Sequence, residues 1–155
     1  MQQLQGEQLA NEIVQQVSGL VSGEPDLIAN LSNVSALLNQ YLPDINWVGF
    51  YIMREGELVL GPFQGKVACI RIPVGRGVCG TAAATRETQR IDDVHAFPGH
   101  IACDGASNSE LVVPIIVNDN VVAVLDIDSP KHARFTVEVQ QEIEAVVNVL
   151  ETLNW

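Results

Sequence analysis

No apolar run in this sequence approaches the ~20 residues needed to span a bilayer; stretches such as LVVPIIV and VVAVL are short and interrupted. The N-terminal MQQLQGEQLANEI lacks the basic segment followed by an apolar one that marks a secretory signal. A cytoplasmic protein with no membrane partner is the resulting expectation. Cations are scarce as well, with 8 lysines and arginines against 19 acids and a formal net charge of -11. The average field therefore repels phosphate backbones and argues against a nucleic-acid partner. Cysteine is limited to Cys69, Cys79 and Cys103, an odd number and too few for a disulfide framework. A reducing compartment would keep them as thiols, so any disulfide is expected to be transient.

What remains is a chain of 155 residues, 47% hydrophobic and 17% charged, which suits one domain around one core. Residues 1–42 read as two helices: Leu9, Ile13, Val17 and Leu20 form one apolar stripe and Leu27, Leu31, Val34, Leu38 and Tyr41 another, with Gly23 and Pro25 between. From residue 45 to 129 the period changes to two. In INWVGFYIM, Val48, Phe50 and Ile52 share one strand face and Trp47, Gly49 and Tyr51 the other, the glycine leaving room between two aromatics. ELVLG, VACIRIP, QRIDD, SELVVPIIV and NVVAVLDIDS read as further strands, and GRGVCGTAAATRE as a glycine-rich turn entering a short helix. Residues 136–152 hold a last helix that Thr136 can cap, with the stripe Val139, Ile143, Val146, Val147 and Leu150. This order predicts an α+β fold over residues 1–155, with about six mostly antiparallel strands packed against helices from both chain ends.

The polar loop at 92–108 is long for a compact domain, and such loops are more often functional than not. Within it Cys103 stands among Asp104, Ser107, Asn108 and Ser109, surroundings that do not suit a core thiol. Cys69 reads as an inert strand thiol, whereas Cys79, near a helix N-terminus, fits either a stabilised thiolate or close packing. Asp126 and Asp128 are two apart and so share a face, following Val122 and Val124, and Glu110 opens its own strand. Lone carboxylates at strand ends are usually solvated. Clustered ones raise one another's pKa, so one can keep a proton and serve as an acid beside a reactive thiol. A zinc site from His95, His100, Cys79 and Cys103 has only a weak signal, because no C-x-x-C or H-x-x-x-H pair is present. The run GRGVCG lacks both the Walker and the dinucleotide spacing. No bound metal or cofactor is expected.

The segments NWVGFY, LGPFQGKVACIRIPVGRGVCGTAA, QRIDDVHAFPGHIACDGASNSELVVPI and VLDIDS resemble the free methionine-(R)-sulfoxide reductases, which are built on a GAF domain. The resemblance runs from about residue 40 to the end of the chain. It implies that Cys103 is the nucleophile that becomes a sulfenic acid, that Cys69 closes a disulfide with it, with Cys79 the alternative, and that thioredoxin is the external reductant. It also implies that Glu110, Asp126, Asp128, Trp47 and Tyr51 bind the substrate. A homodimer through the terminal helices is the expected assembly. The alternative is a GAF sensor that holds a small ligand without turning it over; such modules usually adjoin output domains, for which 155 residues leave little room.

Overall fold

A computed structural model describes the backbone of residues 2–99 and 105–155, and the side chains within those spans from residue 12 onward. The expected helices form as α1 (Gln2–Val21) and α2 (Leu27–Tyr41). Asp26 caps α2, its carboxylate accepting from the Ala29 N–H at 2.8 Å. Leu9 lies outside the described side chains. The α1 stripe ends differently from the expectation: Ile13, Val17 and Val21 are buried and Leu20 is exposed. Steps of four carry the buried stripe round the helix to Val21, which leaves Leu20, three residues after Val17, at its edge.

Among the described residues, β1 (Trp47–Arg54), β2 (Glu57–Gly65), β3 (Arg71–Pro73), β4 (Gln89–Ile91), β5 (Ser109–Val117) and β6 (Asn120–Ser129) make one antiparallel sheet in the order β3-β2-β1-β6-β5-β4. The α+β architecture is as expected. Asn118 and Asp119 close the β5–β6 hairpin with φ of 50° and 65°, the left-handed pair that a tight hairpin turn requires. Helices α1, α2 and α4 (Val137–Leu150) cover one face of the sheet, where Val48, Phe50, Ile52, Leu111 and Leu125 join Leu38, Ile143 and Leu150 in the larger core. Thr136 caps α4 by accepting from the Val139 N–H at 3.2 Å. The other face carries a smaller core under α3 (Gly77–Thr85), built on Trp47, Tyr51, Ile72, Val112 and Val124.

Three strand readings are corrected. VACIRIP is strand only over Arg71–Pro73, so Cys69 lies in an irregular segment. Leu60 N–H still reaches Ile70 O at 2.8 Å, but two residues on Pro62 has no N–H with which to continue that ladder. Val122 does not share the face of Val124 and Asp126. A register shift opposite Ile115 and Ile116 leaves it outside the pairing, and it packs on the helix side. The space at Gly49 is not vacant either, because Phe63 lies opposite it and stacks on Trp47, centroids 5.2 Å apart.

The outer edge of β5 beyond β4 is closed by two devices. Pro114 has no donor to present, and Ile116 N–H donates to the Glu151 carboxylate at 2.9 Å. None of the described helices is long and apolar enough to cross a membrane.

Candidate active site

Register places the carboxylates together. Glu110 on β5 lies opposite Asp128 on β6, and Asp126 lies opposite Val112 and, on the other side, Gly49. These side chains leave the sheet on the face away from the three long helices, where α3 covers them and presents Cys79. Gly80 makes that approach possible: a Cβ there would stand 2.5 Å from the Pro73 carbonyl oxygen. Cys79 Sγ comes to 4.0 Å from Glu110 Oε1, and both groups lie within 4.8 Å of an Asp126 oxygen.

Burial dominates the electrostatics. It raises the Asp126 and Glu110 carboxyls well above the usual carboxylate range, helped by the charge of Glu110 on the former and of Asp128 on the latter. Burial likewise pushes the Cys79 thiol up, with Asp126 and Glu110 adding repulsion, which overrides any help from the N-terminus of α3. Cys79 therefore stays a thiol. Tyr51 is raised for the same reason and stays a phenol. Asp126 Oδ1 is buried without a hydrogen-bond partner among the described residues, an acceptor facing a cavity.

The cavity wall beside the carboxylates is aromatic. Trp47 and Tyr51 are stacked at 5.9 Å, and each aims its polar end at the segment that follows β2. Trp47 Nε1 donates to Lys66 O at 3.1 Å and Tyr51 Oη donates to Cys69 O at 3.0 Å. The aromatic pair thus fastens the Cys69 segment over the cavity, with Val67 and Ala68 lining it. Cys69 is half-buried and disulfide-bonded, and Cys79 is a free thiol.

Five expected binding residues, Trp47, Tyr51, Glu110, Asp126 and Asp128, line this one cavity together with Cys79. Cys103 and His100 lie outside the described residues. The expected zinc set is not assembled among its described members: Cys79 is buried against carboxylates, whereas His95 is exposed with Nε2 3.1 Å from Asn108 Oδ1. Cys79, Glu110 and Asp126 have the donor atoms and closeness to hold a divalent cation, but binding one would require all three to lose protons that burial retains.

Sequence reasoning missed Ser107 and Arg76, which also line the cavity. Ser107 is buried and accepts from Asn46 Nδ2 at 3.1 Å. Its only signal was its place among the small residues before Glu110. Arg76, at the N-cap of α3, was hidden in a glycine-rich run read for its backbone alone.

The chain matches the GAF domain family over residues 6–153. It is 58% identical over 134 residues to the free methionine-R-sulfoxide reductase of Escherichia coli, covering 86% of this chain and 81% of that one. It is 50% identical over 133 residues to the free methionine-R-sulfoxide reductase of Saccharomyces cerevisiae, with 81% and 74% covered. Among solved structures, the fRMsr of Staphylococcus aureus in complex with substrate superposes with a TM-score of 0.88 at 51% identity, covering 92% of this chain and 93% of that chain.

Proposed function

Because the chain belongs to the free methionine-R-sulfoxide reductases of the GAF family, an oxidoreductase family acting on free methionine-R-sulfoxide, we propose how its residues carry that reaction. The carrying observation is the carboxylate group of buried Glu110 and Asp126 with half-buried Asp128, facing an aromatic wall in one cavity. Methionine-R-sulfoxide has an apolar methyl end, a polar S=O and a cationic amine. The methyl end packs on Trp47, a protonated carboxyl donates to the sulfoxide oxygen, and an ionised carboxylate with Asp126 Oδ1 accepts from the amine. Backbone N–H groups of the loops bind the substrate carboxylate. A pocket walled by α3 and by Val67 and Ala68 suits a small ligand, and on this reading the enzyme acts on the free amino acid.

Cys103 is the nucleophile of this reading. Its thiolate attacks the sulfoxide sulfur, the oxygen passes to Cys103 as a sulfenic acid, and methionine leaves. The Cys69 thiol then attacks that sulfenic sulfur, water departs, and a Cys69–Cys103 disulfide remains. Three observations support Cys69 over Cys79 as the resolving thiol. Cys69 is disulfide-bonded, it lies at the cavity's edge outside any strand, and Cys79 is a free thiol held protonated by burial. Thioredoxin returns the disulfide to two thiols, in the reducing cytoplasm. The protein is proposed to be a homodimer. Ile13, Val17, Ile143, Val146 and Leu150 of the terminal helices are buried within the chain, so the contact falls to Leu20 and Ile28, which are 39% and 48% exposed near the α1–α2 turn.

The test is to supply the two sulfoxide epimers separately with thioredoxin, its reductase and NADPH. NADPH should be consumed with the R epimer alone; equal loss with both epimers, or none, overturns the reading. Cys103→Ser should abolish even the first turnover, whereas Cys69→Ser should release about one methionine per site and then stop. Normal recycling by Cys69→Ser would move the resolving role to Cys79. A monomeric mass in light scattering across concentrations would remove the dimer.

A further inference from the structure

We propose that the segment around Cys69 is the docking surface for the protein dithiol that reduces this enzyme, an apolar patch within a basic rim that selects an acidic partner. The proposal rests on the disulfide reading above and extends it to the partner's binding site. Val67 is 88% exposed and Ile70 66% exposed, and Val74 beyond β3 is exposed as well. Side chains that exposed, on both sides of a disulfide-bonded cysteine, bury little of their apolar surface within the chain.

Charge points to the same use. Lys66, Arg71 and Arg76 are three of the chain's eight cations, and no Asp or Glu occurs between residues 58 and 76, although the whole chain carries -11. Arg71 is held beside the patch by Glu57 at 2.5 Å, while Lys66 and Arg76 are exposed on either side of it. On an acidic molecule, a stretch that carries cations and no carboxylates of its own repels an acidic protein less than the rest of the surface does. A second copy of this chain meets that repulsion over most of its surface. A dithiol protein with apolar contacts around its thiolate and acidic groups beyond them meets the least of it here.

The chemistry fixes the approach. The partner's thiolate attacks Cys69 Sγ, forming an intermolecular disulfide and releasing the other sulfur of the enzyme's disulfide as a thiolate that takes a proton from water. The partner's second thiolate then attacks its own sulfur in that mixed disulfide, and Cys69 leaves as a thiolate and is protonated. Two electrons pass to the enzyme and the partner ends as a disulfide.

Ile70→Asp combined with Lys66→Glu tests the surface, since both side chains are exposed and neither lines the cavity. With thioredoxin, its reductase and NADPH, the variant's kcat/KM for thioredoxin should fall by about tenfold or more, the loss of one interface anchor. The dithiothreitol-driven rate should stay within about twofold of wild type, and Ile70→Leu should behave as wild type with both reductants. Thioredoxin lacking its second cysteine should be trapped on the peptide containing Cys69. Unchanged thioredoxin kinetics, an equal loss with dithiothreitol, or trapping on Cys103 would each overturn the docking surface. Failure of the wild-type enzyme to reduce the R epimer even with dithiothreitol would instead remove the reductase reading beneath it.

Discussion

Asp126 ends an apolar strand face in a buried position where its carboxyl holds a proton more tightly than in the unfolded chain, and Glu110 does the same. A group whose folded pKa is raised binds more protons in the native state, so stability is greatest below the unfolded value of about 4 and declines as pH rises toward the folded one. Asp126→Asn removes that decline at one site and also removes the acceptor proposed for the substrate amine. We expect its Tm to exceed that of wild type by roughly 3–6 °C at pH 8 and by less at pH 5, with sulfoxide reduction down by about 100-fold or more. Thermal melts across pH and single-turnover assays check both; a variant less stable than wild type at pH 8 would contradict the burial argument. Cys79 sits in the same field. Cys79→Ser should keep thioredoxin-driven recycling, measured as repeated turnovers, because a thiol held protonated is a poor resolving group.

Strands β1 and β2 set the width of the site. Gly49 allows Phe63 to lie against β1, and a Cβ at Gly49 would stand 2.3 Å from Phe63 Cβ and 2.9 Å from the Pro62 carbonyl oxygen. Gly49→Ala should therefore cost about 2–3 kcal/mol by overpacking, read as a Tm loss of roughly 5–10 °C in calorimetry, and raise KM for the sulfoxide by displacing Trp47. Helix α4 gives the contrasting case, far from the cavity. Removing its cap with Thr136→Ala should cost about 1 kcal/mol and leave kcat and KM unchanged. A loss of activity there would mean that the helix layer is coupled to the site. The first change was hidden from sequence reasoning, since strand parity shows which face Gly49 occupies and not what fills it. The second was legible, because a cap is a local pattern.

Residues from β1, β5, β6 and α3 meet Val67 and Ala68 in one cavity, so a bound ligand ties together parts of the whole molecule. A ligand at about 100 times its Kd adds about 2.7 kcal/mol to stability. With Cys103→Ser protein, free methionine-R-sulfoxide should raise Tm by roughly 5–10 °C, with a smaller rise for the S epimer and none for a sulfoxide blocked at both ends. Scanning fluorimetry measures all three, and equal shifts would show that the cavity does not select the free R epimer.

Local pattern was enough to establish the element order, the cap of α4, and the shared face of Asp126 and Asp128, because helix and strand periods act over a few residues. Pattern also singled out Cys103 by its polar neighbours. Tertiary structure decided what depends on pairing across the chain: Glu110 opposite Asp128, Phe63 opposite Gly49, Val122 displaced by a bulge, and Cys69 lifted off the sheet and tied to Tyr51. It also decided between the two readings left open at Cys79, where the backbone at a helix start favours a thiolate and burial beside carboxylates from β5 and β6 opposes one. Burial is a property of the assembled layers, and a desolvated carboxyl differs from a solvated one in no feature that its neighbours in sequence can reveal.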